Sequence, residues 1–207
     1  MIKEKLGHRV DSVVHAMFPF LFIRPINPDL LTLCGALVSL VAAALFVQGE
    51  FFSAGVVMFL GGLFDLVDGV VARHFGISTT FGGFLDSTLD RFVDMVILLA
   101  IALYYSGAGQ SGMALLTAYA LVCTVLTSYA KARAELHLDH LPGGMLERGE
   151  RMGFVVVGAV SGYMEVVLAL LALGTTYTVG QRLGVAYREM ARLDGAAVNQ
   201  ATEATQP

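Results

Sequence analysis

The sequence predicts an all-α integral membrane protein with six transmembrane helices, preceded by an N-terminal amphipathic helix that lies in the membrane interface. Two features of the composition support this fold class. Of the 207 residues, 56% are apolar and only 14% are charged, whereas a soluble domain carries about 25% charged residues. The mean hydropathy is +0.71. The third observation is that long uncharged runs recur along the chain, and about 20 apolar helical residues are enough to cross a bilayer.

Residues 1–26 are predicted to form the interfacial amphipathic helix. Apolar residues such as Ile2, Leu6 and Val10 repeat at spacings of three and four, and the charged residues fall elsewhere. That pattern is typical of a helix that lies on a membrane surface. The segment Arg24–Pro28 (RPINP) ends the helix, because a residue that precedes proline avoids the α-helical conformation. A soluble tail is the alternative interpretation.

Residues 27–193 are predicted to form a transmembrane catalytic domain, and residues 194–207 a disordered polar tail. The uncharged run Met95–Ala130 is too long for one crossing. Ser106–Gly112 (SGAGQSG) supplies the turn that divides it. The predicted helices cover residues 29–48, 52–74, 82–105, 111–137, 147–162 and 165–192.

The placement of positive charge sets the helix count and the orientation. Cytoplasmic loops of membrane proteins collect Lys and Arg. With six helices and a cytoplasmic N-terminus, all 13 Lys and Arg fall on the cytoplasmic half, and the outer turns hold only Glu50 and Glu165. Five helices would place Arg182, Arg188 and Arg192 outside. We therefore predict a multi-pass protein of the cell (cytoplasmic) membrane with both termini in the cytoplasm.

Four aspartates lie near the cytoplasmic ends of the second and third predicted helices. Asp65 and Asp68 are three residues apart, and Asp86 and Asp90 are four apart, so each pair shares one helix face. A short loop joins the helices, so we expect the pairs to face each other. Close carboxylates repel one another, and charge inside a membrane is costly. Divalent cations such as Mg²⁺ or Mn²⁺ relieve both costs, and paired metals are suited to phosphoryl transfer.

Two other interpretations of the aspartates remain open. They could form structural salt bridges with Arg73, Arg91 and Lys131, or they could line the pathway of a cation transporter. The neighbouring Gly69 and Gly82 favour a ligand site, because glycine lets a ligand approach the backbone, although small residues also serve helix packing. The sequence has no internal repeat of the kind that many transporters carry. Binding of CMP or CDP would separate the enzyme from the transporter.

A longer pattern surrounds the aspartates: Asp65-x-x-Asp68-Gly69-x-x-Ala72-Arg73, eight residues, then Gly82-x-x-x-Asp86-x-x-x-Asp90. This pattern resembles the signature of the CDP-alcohol phosphotransferase family, and the resemblance extends over about residues 27–192. It implies six helices behind an interfacial helix, and a homodimer. Members of the family transfer a substituted phosphate from a CDP-linked donor to an alcohol and release CMP.

The resemblance also implies roles for individual residues. Asp65, Asp68 and Asp86 would hold two Mg²⁺ or Mn²⁺ ions on the donor diphosphate, with Asp90 as a further candidate ligand. Asp90 would also be the general base that takes the proton of the acceptor hydroxyl. The donor is expected to be CDP-diacylglycerol, with its acyl chains in the bilayer. The residues expected to bind it are Asn27, Pro28, Thr32, Asp68, Gly69, Ala72, Arg73 and Gly82.

Cations recur at the inner ends of the last three predicted helices, and they suggest the class of acceptor. Anchoring at the cytoplasmic surface explains any one of them, but their recurrence favours a pocket for a second anion. We expect Lys131, Arg133, Arg151 and Arg182 to bind the phosphate of a phosphorylated polyol, and Arg148 is set aside. The segments SYAKARAE and ERGER resemble the branch of the family that uses inositol phosphate. Glycerol 3-phosphate is the alternative acceptor, and no nucleic-acid partner is expected.

Overall fold

A computed structural model of the chain describes residue 22, residues 26–141 and residues 144–204, with side chains as far as residue 195. Within these residues the chain forms helices and no strand, which confirms the all-α class. The helices are α1 (Pro28–Val47), α2 (Phe51–Phe75), α3 (Thr80–Gly107), α4 (Ser111–Ala134), α5 (Arg148–Ser161) and α6 (Met164–Ala204).

Four helices of the described part are long and apolar enough to cross a membrane: α1, α2, α4 and the Met164–Gly195 portion of α6. The other two helices, α3 and α5, do not meet this criterion of length and apolarity. The first half of α3 carries Asp86, Asp90, Arg91 and Asp94, and α5 has only 14 residues, fewer than the roughly 20 that a perpendicular crossing needs. The count of six crossings therefore stays a prediction.

The two ends of the chain compare differently with expectation. The predicted interfacial helix falls outside the described residues except for Phe22 and Ile26. At the other end, α6 continues to Ala204, beyond the predicted end of the last helix at residue 192; the disordered tail over residues 194–207 stays a prediction. Alanine recurs between Asp194 and Ala204 and no proline occurs before Pro207, so the composition favours continuation of the helix.

The chain forms two compact units, Met1–Ala100 and Ile101–Pro207, with the boundary inside α3. In the first unit, α1 begins at a well-formed cap. The side-chain oxygen of Asn27 accepts a hydrogen bond from the backbone N–H of Asp29 at 3.0 Å. Pro28 follows in the first turn, where its missing N–H leaves no bond unmade.

Small residues allow α1 and α2 to pack closely. A Cβ atom added at Gly35 would lie 3.2 Å from the carbonyl oxygen of Gly61, and one added at Gly61 would lie 2.6 Å from Ser39 Oγ. Glycines at such a contact let two helix backbones approach each other inside a membrane. Toward the N-terminus of α1, the same interface brings Thr32 against Asp68.

A tight turn connects α2 to α3. Gly76 ends α2 in the left-handed conformation with φ of 63°, and the N–H of Ile77 returns to the carbonyl of Ala72 at 3.1 Å, as in common glycine C-caps. Thr79 then caps α3, since its Oγ1 accepts the N–H of Gly82 at 2.9 Å. The turn therefore returns the chain to the end of α2 that carries Asp68.

In the second unit, polar side chains contribute to the packing of α4 against α6. The hydroxyl oxygens of Tyr119 and Thr176 are 2.9 Å apart, and Thr127 and Thr178 are fully buried. Hydrogen bonds of this kind satisfy polar groups within a helical membrane protein. The start of α5 is fixed by a capping box, in which the N–H of Glu147 donates to the carboxylate of Glu150 at 2.8 Å.

Candidate active site

Three carboxylates of the first unit converge on one point. One oxygen each of Asp65, Asp68 and Asp86 lies within 4.8 Å of the other two. Two of these residues share a face of α2, and the third is in the second turn of α3. Asp68 is buried, with 6% of its surface exposed, and the other two are half-buried. The structure thus brings together three of the four acids that the sequence predicted to face each other.

A hydrogen bond from α1 fixes the buried member of this group. Thr32 Oγ1 is 2.5 Å from Asp68 Oδ2, a length typical of a hydroxyl that donates to a carboxylate. Thr32 is itself buried. Its oxygen also lies 3.1 Å from the carbonyl of Pro28. The hydroxyl therefore holds Asp68 in one orientation and ties α1 to the carboxylate group.

The donor set fits Mg²⁺ or Mn²⁺. These hard cations prefer oxygen ligands, and Mg²⁺ binds them at about 2.0–2.1 Å. Two ligands on opposite sides of one ion are therefore about 4.2 Å apart, close to the 4.8 Å within which the three oxygens lie. Three carboxylates also supply the negative charge that divalent cations neutralise. The group is a candidate metal centre.

A cavity of about 200 Å³ adjoins the carboxylate group within the same unit. Its wall comes from the start of α1, the end of α2, the turn after α2 and the start of α3. The lining residues are Pro28, Asp29, Thr32, Asp68, Gly69, Ala72, Arg73, Ile77, Ser78, Thr79, Gly82, Gly83 and Asp86.

The lining includes seven of the eight residues that the sequence predicted to bind the donor. The exception is Asn27, which is exposed and whose side chain caps α1. Sequence analysis missed five lining residues, which are Asp29, Ile77, Ser78, Thr79 and Gly83. A signal existed for Asp29, because it lies between Pro28 and Thr32, which were both predicted to bind the donor. No comparable signal marked Ser78 and Thr79.

Gly82 keeps one side of the cavity open. A Cβ atom added there would lie 2.8 Å from Asp29 Oδ1 and 3.0 Å from Thr79 Oγ1. Any larger residue would therefore displace side chains of α1 or of the turn before α3. Glycine at this position therefore leaves room for the carboxylate of Asp29 and the capping hydroxyl of Thr79.

Asp90 lies one turn further along α3 than Asp86 and is half-buried. It does not belong to the group of three carboxylates, and it is not among the cavity-lining residues of the described chain. Its roles as a ligand and as the general base stay predictions. Asp94, a further turn along, is buried with 2% exposure.

The second unit contains two buried guanidinium groups. Arg151 and Arg182 are 2% and 4% exposed, and both reach Thr127 on α4. Arg151 Nη1 is 3.4 Å from Thr127 Oγ1 and donates to the carbonyl of Leu146 at 3.1 Å. Arg182 Nη1 donates to the carbonyl oxygen of Thr127. Two of the four cations predicted to bind a phosphate therefore meet at one residue.

The other two predicted cations occupy different positions on α4. Lys131 is half-buried and follows Thr127 by four residues, so it lies on the same helix face. Arg133 is exposed, and six residues of helix turn it away from that face. The structure supports grouping Lys131 with the two arginines and gives no such support for Arg133.

Comparisons with known proteins point to one family. The family model described as CDP-alcohol phosphatidyltransferase matches residues 25–180. A phosphatidylinositol phosphate synthase of Streptomyces avermitilis is 35% identical over 194 residues, covering 86% of this chain and 79% of that protein. An archaetidylinositol phosphate synthase of Methanothermobacter thermautotrophicus is 35% identical over 188 residues, covering 84% and 93%.

A solved structure extends the similarity to the fold. The crystal structure of Mycobacterium tuberculosis phosphatidylinositol phosphate synthase with CDP-DAG bound has a TM-score of 0.74 and 29% identity, covering 86% of this chain and 93% of that one. The same enzyme in complex with manganese and citrate has a TM-score of 0.75.

The grouped carboxylates beside a cavity fit a metal-dependent enzyme of the membrane, and the family match identifies that enzyme as a transferase. More specifically, the chain belongs to the CDP-alcohol phosphatidyltransferase family. It is a multi-pass enzyme, and the resemblance found in its sequence is confirmed.

Proposed function

We propose that the protein transfers a phosphatidyl group from CDP-diacylglycerol to a phosphorylated polyol, with inositol 1-phosphate as the first candidate, and releases CMP. The observation that carries the choice of acceptor is the pair of buried guanidiniums at Thr127. The names of the relatives in Streptomyces and Methanothermobacter support the same choice. The Mycobacterium structure with CDP-DAG bound supports the choice of donor.

The donor diphosphate is assigned to the cavity beside the carboxylate group. Arg73 lines this cavity, and its guanidinium suits bidentate contact with phosphate oxygens. Gly69 and Gly82 also line the cavity. Because glycine has no side chain, a nucleotide can approach the backbone at these two positions. Asn27 does not line the cavity but caps α1. Pro28 and Thr32 line the cavity from the first two turns of that helix.

Mg²⁺ or Mn²⁺ would be held by Asp65, Asp68 and Asp86. The bound metal would neutralise charge on the diphosphate and on the departing CMP. Thr32 holds Asp68 in the orientation that binding requires. Asp90 takes the proton of the acceptor hydroxyl. The oxygen so released forms a bond to the phosphatidyl phosphorus, and the bond from that phosphorus to the CMP oxygen breaks.

The acceptor phosphate is assigned to Arg151 and Arg182, with Lys131 one turn along α4 and Arg133 contributing charge from an exposed position. Burying two like charges beside one threonine is costly, and the carboxylates of Glu147 and Glu135 interact with Arg182. Within the described chain, Nε of Arg182 also has no hydrogen-bond partner. A phosphate dianion would offset the charge and accept hydrogen bonds from both guanidiniums.

The membrane arrangement is part of the same proposal. Six membrane crossings, an interfacial helix at residues 1–26 and cytoplasmic termini place every Lys and Arg on one side. CMP is then released into the cytoplasm. We also propose that the enzyme works as a homodimer, as the family resemblance implies. The transporter interpretation is set aside, because the family membership accounts for the carboxylates.

A panel of acceptors tests the proposal. The purified enzyme is given CDP-diacylglycerol and Mg²⁺ or Mn²⁺, and CMP release is followed with inositol 1-phosphate, glycerol 3-phosphate, inositol or serine. We expect inositol 1-phosphate to give the highest kcat/KM. A preference for glycerol 3-phosphate would keep the phosphate pocket and change the polyol. A preference for inositol or serine would contradict the pocket itself.

Substitutions test the pocket separately. Arg151→Ala and Lys131→Ala should each raise acceptor KM by about 10- to 150-fold, the effect of losing one hydrogen bond to a charged group. Donor KM should change little. Arg192→Ala is the matched control, because Arg192 is an exposed cation of α6 that pairs with Glu189 at 3.4 Å. Unchanged acceptor KM in both test variants would refute the assignment.

A further inference from the structure

The segment that leads into α5, residues 144–147, is attached to α6 at three successive turns. We call this segment the α5 entry loop. On α6 the contacts come from Gly174, Thr178 and Arg182, which are spaced four residues apart and therefore form one row along the helix. Both the loop and the row belong to the second unit.

The middle contact is a hydrogen bond. Thr178 is fully buried, and its Oγ1 accepts the backbone N–H of Leu146 at 3.3 Å. The same hydroxyl donates to the carbonyl of Gly174 at 2.8 Å. The hydroxyl hydrogen and one lone pair are thereby both used, which fixes the rotamer of Thr178 and the position of the loop amide.

The outer two contacts depend on glycine. A Cβ atom added at Gly174 would collide with Leu146 Cδ1 and lie 3.3 Å from its Cγ, so the buried leucine fills the space that glycine leaves. On the loop side, a Cβ atom added at Gly144 would lie 2.7 Å from Arg182 Nη2 and 3.1 Å from its Nε. The loop backbone therefore rests directly against that guanidinium.

Leu146 links this attachment to the other arginine, because its carbonyl accepts the hydrogen bond from Arg151 Nη1 at 3.1 Å. Arginine side chains have many rotamers, and fixing them carries a large entropic cost. A carbonyl and a backbone held in place by α6 limit both guanidiniums to one arrangement. Shifting the loop would move both at once.

We propose that Thr178 and Gly174 are positioning residues for the acceptor-phosphate pocket, which act through Leu146 and the α5 entry loop on Arg151 and Arg182. The proposal rests on the proposed function for the identity of the ligand. The attachment of the loop does not depend on that identity. Neither positioning residue is expected to touch the acceptor.

Thr178→Val tests the hydrogen bond, since valine keeps the shape of threonine and removes the acceptor oxygen. We expect acceptor KM to rise by roughly 3- to 10-fold, the effect of one lost neutral hydrogen bond. Donor KM and kcat should stay within about twofold. Thr178→Ser keeps the hydroxyl and should restore acceptor KM.

Thr175→Val is the matched control. Thr175 is equally buried on α6, but among the described residues its hydroxyl bonds only to the carbonyls of Leu171 and Ala172 in its own helix. Both valine variants lose one buried hydroxyl, so they share any general loss of stability. Only Thr178→Val should raise acceptor KM and speed amide hydrogen exchange in residues 144–148.

A double-mutant cycle provides a second route if Thr178→Val folds poorly. Gly174→Ala should raise acceptor KM by displacing Leu146. In the Leu146→Ala background, where the collision is removed, the same change should have little further effect. Additive effects of the two substitutions would overturn the role of the glycine.

The outcomes separate this proposal from the proposed function. If Arg151→Ala raises acceptor KM while Thr178→Val matches Thr175→Val in both KM and hydrogen exchange, the positioning role is refuted and the pocket stands. If Arg151→Ala leaves acceptor KM unchanged, the phosphate pocket fails, and the positioning role fails with it. Hydrogen exchange then still decides whether Thr178 holds the loop.

Discussion

At the scale of single residues, the three converging carboxylates form the part of the structure on which the chemistry depends most directly. Asp65, Asp68 and Asp86 come from two helices, and their oxygens lie within 4.8 Å. Carboxylates this close repel one another. A divalent cation bound between them would offset this repulsion.

Replacing any one of these three aspartates with alanine should abolish CMP release. Chelation of the wild-type enzyme should do the same, and added Mn²⁺ or Mg²⁺ should restore activity. The measurement is CMP formation before and after dialysis against chelator, with circular dichroism as the control for helix content. Turnover that survives complete chelation would reject a metal-dependent mechanism.

Thr32→Val removes the hydroxyl that orients Asp68 and keeps the shape of the side chain. Losing a group that orients a metal ligand commonly costs about 10- to 100-fold in metal affinity. The Mn²⁺ concentration for half-maximal activity should rise by that factor, and Thr32→Ser should restore it. Ser39→Ala is the control, because Ser39 is a buried hydroxyl of α1 that bonds within its own helix at 2.9 Å. Equal metal dependence in the valine and control variants would refute the orienting role.

Asp90→Asn keeps the shape of the side chain but cannot take a proton. It should still bind the CDP-linked donor while kcat falls by roughly 10²- to 10⁴-fold, the usual contribution of a general base. Donor binding is measured directly by calorimetry and turnover by CMP release. Near-normal kcat would assign Asp90 a structural role.

At the scale of helices, the contact between α1 and α2 determines whether the site forms at all. Gly35 and Gly61 let the two backbones approach, and this approach allows Thr32 to reach Asp68. Side chains on different helices meet only if the helices pack at the right distance. A change far from the cavity can therefore disturb the metal centre.

Gly61→Ala should lower both thermal stability and activity, because the added Cβ would lie 2.6 Å from Ser39 Oγ. Overpacking of this kind typically costs about 1–3 kcal/mol. Gly62→Ala is a close control, since a Cβ atom there meets nothing within 4 Å. Thermal unfolding in detergent and CMP release measure both effects. Equal behaviour of the two variants would contradict the close helix contact.

At the scale of the whole molecule, the sequence predicted the helices to within a few residues as far as residue 192. Apolar runs and glycine-containing turns depend only on neighbouring residues, so the sequence alone predicts where helices begin and end. The grouping of Asp65, Asp68 and Asp86 was also predictable, because two sit on one helix face and a short turn brings the third.

Features that depend on contacts between distant segments were not predictable in the same way. Asp29 and Thr79 line the cavity only because α1, the turn and α3 meet there. The burial of Arg151 and the exposure of Arg133 have no counterpart in the sequence, where both are simply basic residues near helix ends. The continuation of α6 to Ala204 reflects helix propensity that its polar composition concealed.

The membrane topology makes one prediction for the whole chain. If the chain crosses the membrane six times and both termini are cytoplasmic, the turn that contains Ser111 lies outside. A single cysteine at this position, in a background where Cys34 and Cys123 are replaced, should react with an impermeant thiol reagent added to intact cells. Labelling only after the cells are opened would contradict the six-helix arrangement.

The hydrogen bond between Thr32 and Asp68 has a thermodynamic consequence for the order in which ligands bind. The first turns of α1 contribute both to the donor cavity and, through Thr32, to the orientation of a metal ligand. Two binding events that share one rigid element are coupled, and such coupling is reciprocal. If Mn²⁺ lowers the Kd of the CDP-linked donor by some factor, the donor must lower the Kd of Mn²⁺ by the same factor. Thr32→Val should weaken this mutual enhancement in both directions, so that metal and nucleotide bind more nearly as independent ligands.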